Sequence, residues 1–180
     1  PAFAQAPTGD AAREAAVRAL GLDVGRRVVL MASGGGGVGD LPSMVARALA
    51  LPDQDFQVIA VAGRNAAAHA QLQGLAGEHP GRLLALGFTQ HMDQLMTAAD
   101  LVVSKPGGLT VSECLALGKP MLLVAPIPGQ EEHNASHLLE EGAAWLADDA
   151  IGLDWKLTRM MNEPEHLPRL ASRSLVLGKP

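Results

Sequence analysis

Three observations predict an α/β fold. Short, wholly apolar runs alternate with helix-period segments along most of the 180 residues, the mark of parallel βα repeats. Loops rich in glycine or polar groups follow several of these runs, where an open parallel sheet binds its ligands. Apolar residues make up 48% of the chain, enough for a true core in one domain. Together these describe a Rossmann-like parallel sheet of about six strands with helices on both faces.

The elements follow in order. A helix over Arg13–Leu20 precedes a first strand at Val28–Met31. The loop Ser33 to Gly39 leads to a helix from Leu41 to Leu49, with Pro42 in its first turn, where proline is tolerated. Phe56–Val61 is the second strand, Ala66–Leu75 a helix, and Arg82–Leu86 the third strand. His91–Ala98 forms a short helix, and Leu101–Val103, fully apolar, a central strand. Leu109–Leu117 is a helix closed by Gly118, and Met121–Val124 the fifth strand. Glu132–Glu141 is a helix closed by Gly142, and Ala144–Leu146 a sixth, edge strand. Pro164 and Pro168 are expected to break the stretch 153–173 into two short helical pieces. The domain organisation read from this is a linker remnant and first helix over 1–24, a Rossmann-like unit over 25–150 and a helical tail over 151–180.

Composition narrows the function. A net charge of −5 with only 3% aromatics and no Tyr disfavours a nucleic-acid binder working through a basic face or stacking platforms. The single cysteine, Cys114, excludes an intrachain disulfide framework and reads as an inert buried thiol, consistent with a reducing cytoplasm. No apolar run is long enough to cross a bilayer. The opening Pro1 to Pro7 lacks the basic start and apolar stretch of a signal peptide and reads as the end of a linker, so the chain is expected to be part of something longer.

Two segments carry most of the functional signal. Ser104 to Glu113 is a strand end, a glycine loop and a helix start with a carboxylate about one turn in. Gly107 and Gly108 remove side chains where a ligand would approach the backbone, and Thr110 and Ser112 are placed to cap the helix. Glu113 alone would read as a carboxylate compensating the helix dipole; with the glycine pair it reads as an acceptor for vicinal hydroxyls. Lys105 is either a phosphate contact or a solvated loop lysine. Pro126 to Asn134 is a proline-glycine loop leading into Gln130, Glu131, Glu132 and Asn134 at a helix start, planar groups of the kind that recognise hexose hydroxyls, or else a solvated acidic turn. Unpaired N–H groups and the positive end of the dipole suit such helix starts to phosphate.

Other motifs are weaker. Gly34, Gly36 and Gly39 satisfy G-x-G-x-x-G, but the second strand ends at Ala62-Gly63-Arg64 without the acid a dinucleotide site needs. Arg64 would suit a 2′-phosphate, so a nicotinamide-dependent oxidoreductase stays open as a rival. No Gly-Lys-Ser/Thr follows, which refuses a P-loop. His133 and His137 have i, i+4 spacing but no third metal ligand; like His69, His79 and His166 they read as solvated or packing histidines. Asp53-Gln54-Asp55 imitates a metal-binding D-x-D but lies before the second strand, at the wrong end of the sheet.

On SGGGG at 33–37, GFTQHMDQLMTAADLVVSKPGGLTVSE at 87–113 and GKPMLLVAPIPGQEEHNA at 118–135, the chain resembles the C-terminal, donor-binding half of GT-B glycosyltransferases. It is most similar to the monogalactosyldiacylglycerol synthases and processive diacylglycerol glucosyltransferases, with the GlcNAc transferase that forms lipid II as a cousin; the PIPGQEE form favours the diacylglycerol group. The resemblance covers about residues 25–146 and implies roles. Glu113 would hold the ribose hydroxyls. Phe88 and Thr89 would flank the uracil, largely through Thr89 backbone groups. Gly34, Gly35 and Gly108, with Leu109 and Thr110, would surround the diphosphate. Gln130 and Glu131 would bind the sugar, and Asn134 would support their loop.

The resemblance further implies inverting hexose transfer to a diacylglycerol-type lipid with no cofactor and no metal. The acceptor site and catalytic base would lie in an N-terminal half, which this chain lacks, so it is expected to bind a UDP-sugar without turning it over. The complete enzyme would be cytoplasmic and peripherally membrane-associated, and the C-terminal tail, which in relatives crosses to the other half, would be loose here. A lipid II-type transferase and a stand-alone binding module are the remaining rivals.

Overall fold

The computed structural model describes residues 8–32, 40–52 and 55–178. Six strands, β1 (Arg27–Ala32), β2 (Phe56–Val61), β3 (Leu83–Leu86), β4 (Leu101–Ser104), β5 (Met121–Val124) and β6 (Ala144–Ala147), form one sheet in the order β3-β2-β1-β4-β5-β6. Every pairing is parallel. The helices among the described residues are α1 (Asp10–Ala19), α2 (Leu41–Ala50), α3 (Ala66–Glu78), α4 (Met92–Ala98), α5 (Gly108–Ala116), α6 (Gln130–Glu140), α7 (Ala150–Asn162) and α8 (His166–Leu177).

The wholly apolar strands are what a sheet covered on both faces requires. Alternate residues of β1 feed opposite layers. Val29 and Met31 pack with Leu41, Val45 and Leu49 of α2, Leu72 of α3, and Leu153 and Leu157 of α7. Val28 and Leu30 pack with Val17 of α1, Leu95 and Met96 of α4, Cys114 of α5, and Leu138 of α6. Each fully buried aliphatic side chain contributes about 1.5–3 kcal/mol, so Leu, Val, Ile and Met suffice where aromatics are scarce. Cys114 is buried in this second layer and its thiol is pushed up to about 12, mainly by burial. It is unreactive at neutral pH.

Polar contacts fix the amino ends of the strands. Arg13 of α1 forks onto Asp100, with Nε to Oδ1 and Nη2 to Oδ2 both at 2.7 Å, and also donates to the carbonyl of Arg26 at 2.9 Å. Asp100 accepts in addition from the Val28 N–H at 2.8 Å. Asp55, the described acid of the D-x-D imitation, is at this same end, where it pairs with Arg26 at 2.9 Å; Asp53 lies outside the described residues.

The C-terminal region departs from expectation. Pro168 does not break a helix; it is the third residue of α8, where the missing N–H is one the helix does not use. Only Pro164 falls in the break. The tail is not loose over the described residues. Leu167 and Leu170 are buried with the first layer, and Leu177 packs on the second. The buried Ser174 hydroxyl donates to the Lys119 carbonyl at 3.1 Å. Gly118, with φ +61°, ends α5 in a left-handed turn, and a Cβ there would collide with Leu175 of α8.

Candidate functional site

The strand order reverses direction between β1 and β4, and a crevice opens there outside their carboxyl ends, the ligand position of this sheet topology. A cavity of about 260 Å³ occupies it. Its floor comes from the strand ends, Ala32 of β1 and Val61 of β2, with Gly63 just beyond. Phe88 and Thr89, from the turn after β3, form one wall with Met92 of α4. Leu109, Thr110 and Glu113 of α5 form the other. The volume falls below the ~300–1,000 Å³ of whole ligand pockets, so it suits a nucleoside-sized portion of a larger ligand. Phe88 is 60% and Leu109 76% exposed, so each wall presents an apolar side chain to solvent.

Glu113 is the one ionisable side chain among the cavity-lining residues. Partial burial raises its carboxyl above the ordinary range. The carboxylate has no cationic partner among the described residues, so its acceptor capacity faces the cavity.

The start of α5 adjoins this wall. Its N-cap is Gly107, with no side-chain cap. The expected capping by Thr110 or Ser112 does not occur. The Ser112 hydroxyl instead donates backward to the Gly108 carbonyl at 2.8 Å, a bond open to serine inside a helix. The first intrahelical bond runs from Val111 N–H to the Gly107 carbonyl, at 2.9 Å. The N–H groups of Gly108, Leu109 and Thr110 therefore remain outside the helix ladder, at the positive end of its dipole.

The loop after β5 lies alongside. Ala125 adopts φ +41°, a strained value for a residue with a Cβ, as the chain leaves the strand. Gly129, at φ +105°, opens α6 and donates its N–H to Glu132 at 3.2 Å. Glu131 accepts from the Ile127 N–H at 2.8 Å and so braces its own loop. Asn134 donates to the Pro106 carbonyl at 2.9 Å, so it ties α6 to the α5 loop rather than to the loop of Gln130 and Glu131.

A family model described as the glycosyltransferase family 28 C-terminal domain matches residues 28–176. The chain belongs to this family. The family 28 domain is 35% identical over 147 residues to the processive diacylglycerol beta-glucosyltransferase of Bacillus pumilus (strain SAFR-032), a match covering 82% of the chain and 38% of that protein. It is 32% identical over 149 residues to the enzyme of the same description from Bacillus subtilis (strain 168), covering 83% and 39%. The chain thus spans about two-fifths of the length of these relatives. Acinetobacter baumannii MurG shares its fold with a TM-score of 0.72 at 21% identity, over 98% of this chain and 50% of that one. Anabaena Alr3699/HepE, solved in complex with UDP-glucose, does so with a TM-score of 0.73 at 20% identity, again over 98% and 50%. The fold is that of one half of a GT-B glycosyltransferase.

Within the family 28 domain, the expected site residues are distributed unevenly. Phe88, Thr89, Leu109, Thr110 and Glu113 together line this cavity. Gly108 lies beside it, facing the Asn134 amide. Lys105, Gln130 and Glu131 lie on the neighbouring rim loops but not in the cavity lining. Gly34 and Gly35 lie outside the described residues. Ala32, Val61, Gly63 and Met92 line the cavity without having been singled out from sequence. Their signal was position alone, since the first three end or follow β1 and β2.

Neither His133 nor His137 joins a metal-ligand cluster among the described residues; both are exposed. The cluster that does form, Glu163, Glu165 and His166, is far from this rim in the α7–α8 corner. There Arg159 forks onto both oxygens of Glu163, at 2.7 and 2.6 Å, and His166 packs edge-on against Trp145. Arg159 and His166 hold the Glu163 carboxyl down at about 2. No helix among the described residues is long and apolar enough to cross a membrane.

Proposed function

We propose that the chain is the UDP-sugar-binding domain of an inverting glycosyltransferase that passes a hexose to a diacylglycerol-type lipid. The observation that carries this reading is one arrangement: a nucleoside-sized cavity at the sheet's switch point, lined by a partly buried carboxylate and opening beside a helix start with three unused N–H groups. Glu113 accepts from the two ribose hydroxyls. Phe88 and the Thr89 backbone flank the uracil. The diphosphate lies at the α5 N-terminus, against the N–H groups of Gly108, Leu109 and Thr110, with Lys105 in the loop before it; the family resemblance assigns Gly34 and Gly35, outside the described residues, to the same group. Gln130 and Glu131 meet the hexose at the next helix start, with Glu131 already oriented by Ile127.

In the transfer, an acceptor hydroxyl oxygen attacks the anomeric carbon while the bond from that carbon to the phosphate oxygen breaks. The hydroxyl proton passes to a base in the other half of the enzyme. Negative charge grows on the departing UDP, where the N–H groups and dipole of α5 stabilise it without rearranging. This domain alone binds the donor and does not turn it over. The complete enzyme works in the cytoplasm at a membrane surface, as the diacylglycerol named for the Bacillus relatives supports.

Titration calorimetry with UDP, UDP-glucose, UDP-galactose, UDP-GlcNAc and NADP tests the reading. UDP should bind, and Glu113→Ala should weaken it by about 1–3 kcal/mol, the scale of lost charge-assisted hydrogen bonds. Binding of NADP without UDP would overturn the proposal in favour of an oxidoreductase domain.

A further inference from the structure

Arg64 follows Gly63 in the turn after β2 and lays its guanidinium against Phe88, with Cζ 5.2 Å from the ring centre. Gly63 and Phe88 both line the cavity, so Arg64, outside the lining itself, sits next to two residues of the wall. The side chain is exposed, and among the described residues it has no hydrogen-bond or ion-pair partner. The contrast with Arg13 and Arg159, each forked onto a carboxylate, is informative. An unpaired arginine in water usually gains nothing from a fixed position. Here the cation–π contact holds the guanidinium beside the ring, and its N–H donors have no partner among the described residues.

We propose that Arg64 selects the base. It rests on the UDP-sugar reading of this cavity and adds a residue to it. A planar, permanently charged donor next to this wall favours a pyrimidine that offers carbonyl oxygens on its outward edge. Uracil offers a carbonyl where cytosine carries an amino group. Against cytosine, the donors of Arg64 face donors, and one set loses its hydration without a partner. Arg64 therefore discriminates uridine from cytidine nucleotides. The same contact holds Phe88 in place before the ligand arrives.

The test is a calorimetric titration of the chain and its R64A and R64K variants with UDP, CDP, uridine and cytidine. The wild type should prefer UDP to CDP. R64A should lower UDP affinity about tenfold while leaving CDP affinity no lower than in the wild type, so the preference collapses. R64K keeps the charge but loses the planar fork of donors, and its preference should fall as in R64A. Uridine and cytidine, which lack phosphate, should show the same collapse. Arg64 is exposed, so all three proteins should melt at the same temperature. Equal weakening of UDP and CDP by R64A would mean a general attraction for the diphosphate and would overturn base selection, as would an unchanged preference. A wild-type chain that binds no uridine nucleotide would overturn the reading of the cavity itself, a result distinct from either.

Discussion

The Asn134 side-chain amide donates to the Pro106 carbonyl at 2.9 Å, joining the second turn of α6 to the loop that launches α5. The two segments read from sequence as diphosphate-facing and sugar-facing are therefore one mechanical unit. Asn134→Ala removes the bond and leaves a partly enclosed carbonyl without its donor. The expected loss is about 1 kcal/mol of stability, or roughly 2–4 °C in Tm for a chain of this size. Asn134→Asp should do no better, since an ionised carboxylate offers the carbonyl no donor. Thermal melting of both variants checks this. Calorimetry should show a larger loss for a UDP-sugar than for UDP, because on the proposed reading the whole donor engages both loops and UDP only the start of α5.

Glu113 makes stability and binding pull in opposite directions. Burial raises its carboxyl in the folded chain, so the folded state holds that proton more tightly than the unfolded state does. Stability from this group is full at acid pH and falls as pH rises from the unfolded value through the folded one. Glu113→Gln should accordingly melt above wild type at pH 7 and level with it at pH 3, while binding UDP more weakly at pH 7. Melting curves at the two pH values settle the first point. Equal melting at pH 7 would remove the claimed burial penalty.

At the opposite end of the sheet, Asp100 holds α1 through the Arg13 fork and caps the Val28 N–H. Asp100→Ala leaves a part-buried guanidinium and a backbone donor unsatisfied together. The expected cost is about 2–3 kcal/mol in chemical denaturation, with UDP affinity unchanged because the cavity lies at the other strand ends. A parallel loss of affinity would show that the two ends are coupled.

Gly118→Ala meets two obstacles at once, a left-handed backbone and the Leu175 side chain. About 1–3 kcal/mol of destabilisation is expected, read from the denaturation midpoint. Pairing it with Leu175→Ala should recover part of that loss, because the second change removes the collision but not the backbone strain.

The sheet was legible because each strand is buried on both faces and so reads as an uninterrupted apolar run, Leu101 to Val103 being the plainest. Met121–Val124 and Phe56–Val61 match their predicted bounds for the same reason. Helix ends were less legible. Ser112 was expected to cap α5, but a side chain four residues past the helix start reaches back to Gly108 more easily than forward. Pro168 was over-read as a breaker because its effect depends on whether it falls before or after the first turn, and the start of α8 was not visible in sequence. The docking of α8 depends on Gly118 and Lys119 meeting Leu175 and Ser174, contacts more than fifty residues apart that no local pattern encodes. At the site, Glu113 and the glycines were legible from their place at a strand-to-helix junction. Arg64 was read as standing where a dinucleotide site needs an acid and as suited to a 2′-phosphate; its contact with Phe88 was not legible, since it brings together the turns after two different strands.

Helix α5 is seated at its C-terminal end against α8, through Gly118 and through Gly178, which rests on the Leu115 backbone, while its N-terminal end stands open. A rod anchored at its foot cannot recoil when something charged presses on its tip. The entropy of lining up those amides is lost as the chain folds, not when an anion lands, and a mutation that loosens the foot should be felt at the tip, some nine residues away.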